Sequence, residues 1–361
     1  MTDIKRNTGI DLLRIVSMCM IIVIHMNGYG KASELIDVFS FKYFLSQAIA
    51  FFVACSVNVY AMISGFVGGG RTDHKSSIRR FLKLWLHVFF YSILFMLVFK
   101  AMYPAEISKR QMLEAALPAM SMQYWYFTFY IPVLFLIPYL NQMISNMDIV
   151  IMRGLIAMLF LFFSAIPWIF QTDWFGLDGG FSVFWLIILY LFGAWLRKES
   201  EMMDSTLARC RKFWLSICIA GLIVVQVLLR YMLDKLGETM GVDSGIMHAF
   251  NSYTSPFIVL EACAMVILFG KMKLSDRKKS SQWITELGAA SFGVYLIHDN
   301  QFFREYIIMD HLVNIGQFNI MAYVMTMIGV SIGIYAGCAV VELIRKYIGC
   351  KIRNLFAGKI K

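Results

Sequence analysis

Residues 9–30 read GIDLLRIVSMCMIIVIHMNGYG. The run is apolar over more than the roughly 18 residues that argue for a transmembrane helix, yet it holds Asp11, Arg14 and His25. On a helix, Asp11 and Arg14 are three apart and can pair across one turn. Arg14 and His25 are eleven apart, close to three full turns, so they share a face and stand roughly 16 Å apart along the axis. Ionisable groups inside a span are expensive and usually face a cavity or pathway. The stripe therefore reads as a polar route up one side of the first helix. A plainer account makes Asp11 and Arg14 a first-turn ion pair with the arginine reaching the headgroups, and His25 an interhelical hydrogen-bonding group.

The rest of the chain agrees with the bilayer reading. It has 361 residues, 59% of them hydrophobic and 16% charged, with a mean hydropathy of +0.67. About ten spans are expected, at 9–28, 43–67, 82–103, 124–145, 149–170, 180–197, 213–232, 254–270, 287–308 and 319–344. Long continuous apolar runs, rather than strands of about ten alternating residues, point to helices and not a barrel. The expected fold is an all-α polytopic membrane protein, one bundle forming a single domain over 1–361.

The net charge of +10 would suit a nucleic-acid partner if it were clustered for one. Instead, with the N-terminus inside, 24 of the 33 Lys and Arg fall on cytoplasmic segments and eight on outward ones, Arg14 being the last. That asymmetry is the positive-inside rule, so the charge sets orientation, with both termini cytoplasmic, and no nucleic-acid partner is expected. The seven cysteines lie mostly in apolar segments without CxxC or metal-ligand spacing. They read as small buried hydrophobes, and no metal is expected. No small-residue cleavage site follows the first apolar run, so the first helix is expected to remain as an anchor.

Several motifs, in order, carry a resemblance. Asp11, Arg14 and His25 form an Asp-x-x-Arg start followed by ten residues and a histidine; SGF (64–66) ends the second span; RRFLK (79–83) opens the third. WYFTFYIPVLFLIPYL (125–140) is an aromatic-led fourth span, and SFGVYLIH (291–298) stands near the end. Together these resemble the membrane-bound acyltransferase-3 family over nearly the whole chain. The resemblance implies transfer of an acyl group, usually acetyl, from cytoplasmic coenzyme A thioester to an acceptor hydroxyl, mostly on cell-surface or lipid-linked glycans, in a bacterial inner membrane. Some relatives complete transfer with an extracytoplasmic hydrolase-like domain; here the bundle would act alone or with a separate extracytoplasmic partner.

Residue by residue, the resemblance makes His25 the catalytic base or transient acyl carrier, a role suited to its reference pKa of ~6.5. Arg14 would hold the donor or stabilise developing negative charge, with Asp11 orienting it. Arg79, Arg80 and Lys83 would meet the donor's phosphates through charge-assisted bonds, although such a cluster also serves as a positive-inside anchor. The family pattern has arginine where Lys83 stands, and lysine binds phosphate as a point charge without the planar fork. The family's proline shortly after the cluster is also missing here. Glu261, His298 and Asp299, in the eighth and ninth expected spans, are acceptor-side or cavity candidates. Adjacent helical residues diverge, so His298 and Asp299 need not act as a pair; the plainer account has the helix interrupted or ending near HDN (298–300), with these residues satisfied by water. Asn58 and Gln226 are expected to bond between helices, and His87 to lie at the interface. A transporter or flippase, or a non-catalytic membrane module, are the alternatives; no paired interrupted spans in the two halves favour transport.

Overall fold

The computed structural model describes residues 6–69, 73–202, 204–240, 252–272 and 278–357, and every regular element among them is helical. In chain order these are α1 (Thr8–Gly28), α2 (Phe41–Gly68), α3 (His74–Met102), α4 (Lys109–Ala116), α5 (Trp125–Asn146) and α6 (Ile149–Phe160). A π turn, Leu161–Ala165, carries α6 into α7 (Ile166–Phe170). There follow α8 (Val183–Glu201), α9 (Thr206–Arg209), α10 (Lys212–Met240), α11 (Pro256–Gly270), α12 (Lys278–His298), α13 (Gln301–Phe303) and α14 (Ile320–Ala357). Short polar residues start several of them by accepting first-turn amide hydrogens: Ser40 before α2, Asp148 before α6 and Ser182 before α8. Ser108 and Gln111 cap α4 reciprocally.

Among the described residues seven helices are long and apolar enough to cross a membrane: α1, α2, α3, α5, the continuous α6–α7 run, α10 and α14. Three of the ten expected spans do not meet that standard. The 180–197 segment lies on α8, whose apolar run gives way to Arg197, Lys198 and Glu199. The 254–270 segment lies on α11, which has 15 residues, about 22 Å of helix against a hydrocarbon core of about 30 Å. The 287–308 segment is not one helix at all, because α12 stops at His298. Spans α3, α10 and α14 bury only 22%, 17% and 28% of their apolar windows, and their exposed large side chains are largely Leu, Ile, Val, Met and Phe, as lipid contact requires.

The described residues fall into two compact units. One lies within Met1–Leu13, Ile36–Leu86 and Tyr124–Leu274; the other lies within Arg14–Leu35, His87–Gln123 and Ser275–Lys361. In the first unit, α2 packs against α8 and α11 through small residues. A Cβ on Gly65 would stand 1.9 Å from the Tyr190 carbonyl oxygen, and one on Gly193 would stand 1.9 Å from that of Met62. The two glycines thus face each other's helices at a backbone-to-backbone approach that only small residues permit. Gly65 is the centre of the SGF motif, and this contact is its physical reason. Gly193→Ala is expected to force α2 and α8 apart and destabilise the protein by about 2–3 kcal/mol, read as a lowered unfolding temperature in detergent.

The same unit holds polar bonds that reading the sequence anticipated. Asn58 donates to the Tyr253 carbonyl at 2.7 Å and accepts from the Trp185 indole at 3.2 Å. Gln226 on α10 donates to Glu261 on α11. Near the end of α8, the Arg153 guanidinium donates to Glu199 at 2.5 and 3.0 Å, and its hydrogen bond holds that carboxyl below the usual carboxylate range.

Candidate active site

The second unit brings His25, His298 and Asp299 together at the ends of two helices. His25 lies in the last turn of α1. Helix α12 ends at His298, and the chain then turns through Asp299 and Asn300. Asn300 restarts it: its side-chain oxygen accepts from the Phe302 amide at 3.1 Å, an N-cap that begins α13. A π turn, Arg304–Ile308, follows directly. The interruption matters for direction. On an unbroken helix, consecutive side chains point about 100° apart; with the helix ended, His298 and Asp299 both reach the same neighbour. The expectation that both lie inside a continuous ninth span is corrected accordingly.

That neighbour is His25. Its ring centroid is 5.2 Å from that of His298, and its Nδ1 is 3.7 Å from Asp299 Oδ1. This separation is an ion-pair distance rather than a hydrogen bond. Arg304 donates to the same carboxylate oxygen at 3.2 Å and lays its guanidinium over the Tyr29 ring, 4.6 Å from the centroid. The Tyr29 ring in turn lies 5.3 Å from His25. The backbone locks this corner. The Asp310 amide donates to the Tyr29 carbonyl at 3.0 Å, and the Leu312 amide to that of Gly30 at 3.2 Å. Outside the helices, Lys31 pairs with Asp310 at 3.2 Å, and that bond raises its ammonium above the ordinary lysine range.

Burial separates the roles. His298 and Asp299 are enclosed, whereas the His25 side chain keeps 12% of its surface exposed. A buried carboxylate needs a counter-charge, and Arg304 supplies it. Of the three, only the His25 side chain keeps appreciable exposed surface. Among the described residues no three His, Cys, Asp or Glu side chains converge as a metal site would need.

The chain was compared with protein-family models, and the acyltransferase domain of the acyltransferase-3 group matches it over residues 7–342. The chain belongs to the acyltransferase-3 family. No curated protein and no solved structure gives a match. As an acyltransferase-3 protein with several membrane-crossing helices, it is a multi-pass membrane acyltransferase.

The acyltransferase-3 motifs can now be placed. In SFGVYLIH, Ser291 Oγ lies 3.1 Å from the Tyr335 hydroxyl, Gly293 leaves room for the Glu342 carboxylate, and His298 faces His25. In the first helix, Asp11 is buried and accepts from Arg6 at 2.6 and 3.2 Å. Arg6 had counted in the sequence only as a topology charge. Arg14 is half-buried on α1. Arg79, Arg80 and Lys83 occupy early turns of α3, with Arg79 and Lys83 exposed and Arg80 half-buried. Glu261 belongs to the other compact unit from His25 and is fully buried on α11. His87 is largely enclosed, with its Nε2 3.0 Å from the buried Glu342. Sequence reasoning missed Arg304, Tyr29 and Glu342. An arginine five residues after Asp299, beside Glu305 in the stretch NQFFREYII (300–308), is the one trace that points to Arg304.

Proposed function

We propose that this protein moves an acyl group, by preference acetyl, from cytoplasmic acyl-coenzyme A to a hydroxyl of a cell-surface or lipid-linked glycan in a bacterial inner membrane. The observation that carries the reading is the accessible His25 ring with its Nδ1 turned to the Asp299 carboxylate. A carboxylate on that side favours the Nδ1–H tautomer, which leaves the Nε2 lone pair for an incoming hydroxyl. The hydroxyl gives its proton to Nε2, its oxygen bonds to the thioester carbonyl carbon, the C–S bond breaks, and the thiolate leaves with the proton. Asp299 orients the imidazole and Arg304 fixes Asp299.

The positive-inside asymmetry puts both termini and the Arg79, Arg80 and Lys83 cluster on the cytoplasmic side, where the donor's phosphates arrive. It puts the His25 end of α1 on the outer side, where the acceptor is presented. Arg14, between them in sequence, is assigned to the donor's thioester arm, and Asp11, held by Arg6, to the start of that path. Glu261 is assigned to the wall of an interior cavity.

The test uses purified protein in nanodiscs with radiolabelled acetyl-coenzyme A. Arg80→Ala is expected to weaken binding about tenfold to a hundredfold, the loss of a hydrogen bond to a charged group worth about 1.5–3 kcal/mol. Wild-type protein that neither binds nor consumes acetyl-coenzyme A, yet moves a glycan lipid across the bilayer, would replace the reading with a transporter.

A further inference from the structure

The backbone decides what one of the two clustered imidazoles can do. Nδ1 of His298 lies 2.7 Å from the Val294 carbonyl oxygen, one turn earlier in α12. A carbonyl oxygen only accepts, so Nδ1 carries the hydrogen and Nε2 of the neutral ring is left with its lone pair. That Nε2 is buried in a side chain with no exposed surface, and no described residue donates to it. Buried acceptors are rarely left bare unless a function uses them. Nδ1 of His25 is also buried and without a hydrogen-bond partner among the described residues.

These two nitrogens belong to neighbouring rings. The centroids are 5.2 Å apart and the planes inclined at 36°. Two imidazoles linked by an N–H···N bond of about 3 Å have centroids roughly 5 Å apart, which is the spacing of these two rings. Asp299 is adjacent to His298 in sequence and has Oδ1 3.7 Å from Nδ1 of His25, so one carboxylate neighbours both rings. The other charged group on that carboxylate is Arg304, held over Tyr29.

We propose that His298 is a second seat for the transferred proton. This rests on the acyl-transfer reading of His25. As the acceptor hydroxyl gives its proton to Nε2 of His25, the hydrogen on Nδ1 of His25 passes to Nε2 of His298. The oxygen–carbonyl bond forms and the C–S bond breaks. The thiolate then takes the proton from Nε2 of His25, while Nδ1 of His25 recovers its hydrogen from His298. The sum is acyl ester plus thiol, with both rings as they began. His298 never touches substrate, and because it is enclosed, the proton it holds is kept from water. It is a positioning and proton-holding residue acting through His25.

The experiment measures release of coenzyme A from acetyl-coenzyme A in nanodiscs, with water as the acceptor, for wild type and His298→Gln. Glutamine fills similar space and can accept a hydrogen bond but cannot take a proton. The expected result is turnover reduced about a hundredfold, KM for acetyl-coenzyme A within about twofold, and an unchanged unfolding temperature. Rates in mixtures of light and heavy water are expected to bow with deuterium content in wild type, as two moving protons require, and to become linear in His298→Gln. Turnover within twofold of wild type, or the same isotope curve in both proteins, overturns the proposal, even if the variant is slow. His298→Asn, if the glutamine variant does not fold, is read by the same curve. A wild type that turns over acetyl-coenzyme A alongside an equally active variant leaves the transferase reading standing and removes only the second seat. A wild type without turnover removes both.

Discussion

His25→Ala is expected to lower acyl transfer about a thousandfold while leaving acetyl-coenzyme A binding within about twofold. Positioned acid–base groups contribute typically 10²–10⁴-fold, and this side chain, unlike those of His298 and Asp299, keeps exposed surface. The ring also sits against Tyr29 and His298, so its removal loosens packing as well as chemistry. Donor binding separates the two effects. A variant that binds acetyl-coenzyme A normally and does not turn it over has lost the base. One that turns it over at the wild-type rate ends the role assigned to His25. One that has lost binding and turnover together has lost the fold, and His25→Gln then serves as the milder replacement.

Glu342→Ala is expected to destabilise the protein by about 3–5 kcal/mol, the effect of removing one partner from a buried, hydrogen-bonded charge cluster. The Glu342 side chain has no exposed surface. It accepts from His87 Nε2 at 3.0 Å, from the Tyr91 hydroxyl at 2.9 Å and from the Arg345 guanidinium at 2.7 and 2.8 Å. Lys346 Nζ stands 3.6 Å away. Alanine would leave these donors facing one another around an uncompensated hole. Glutamine keeps the volume and an acceptor oxygen but not the charge, so Glu342→Gln should fall between wild type and alanine. The check is residual folded protein after graded heating in detergent. Equal stability of all three proteins would mean that water or lipid headgroups satisfy the cations without the carboxylate.

The bilayer character was open in the sequence because it depends on composition and run length, which no tertiary contact alters. His25 was legible for a related reason: a histidine well inside an apolar run stands out whatever surrounds it. What it touches was not. Its partners are some 270 residues away in sequence, and the hydropathy of 287–308 reads as a continuous span although a single asparagine side chain caps a new helix inside it. Asn300 is an ordinary N-cap residue, but run length outweighed it. Glu342 escaped because a carboxylate two residues from the expected end of a span looks like a headgroup residue, whereas here it points inward to α3 and α12. Length and composition alone single out seven of the ten expected spans among the described residues; α8 and α11, which fall outside that standard, pack against α2 with many buried side chains.

The cluster joins residues some 270 positions apart in sequence, and this bears on when the proposed activity can arise during synthesis. At about 5–20 residues per second, His25 leaves the ribosome many seconds before His298, Asp299 and Arg304. Until those three arrive, the nascent chain can hold most of its helices in the bilayer and still lack the cluster around His25. On the proposed mechanism, a chain halted before residue 298 is inserted but inert.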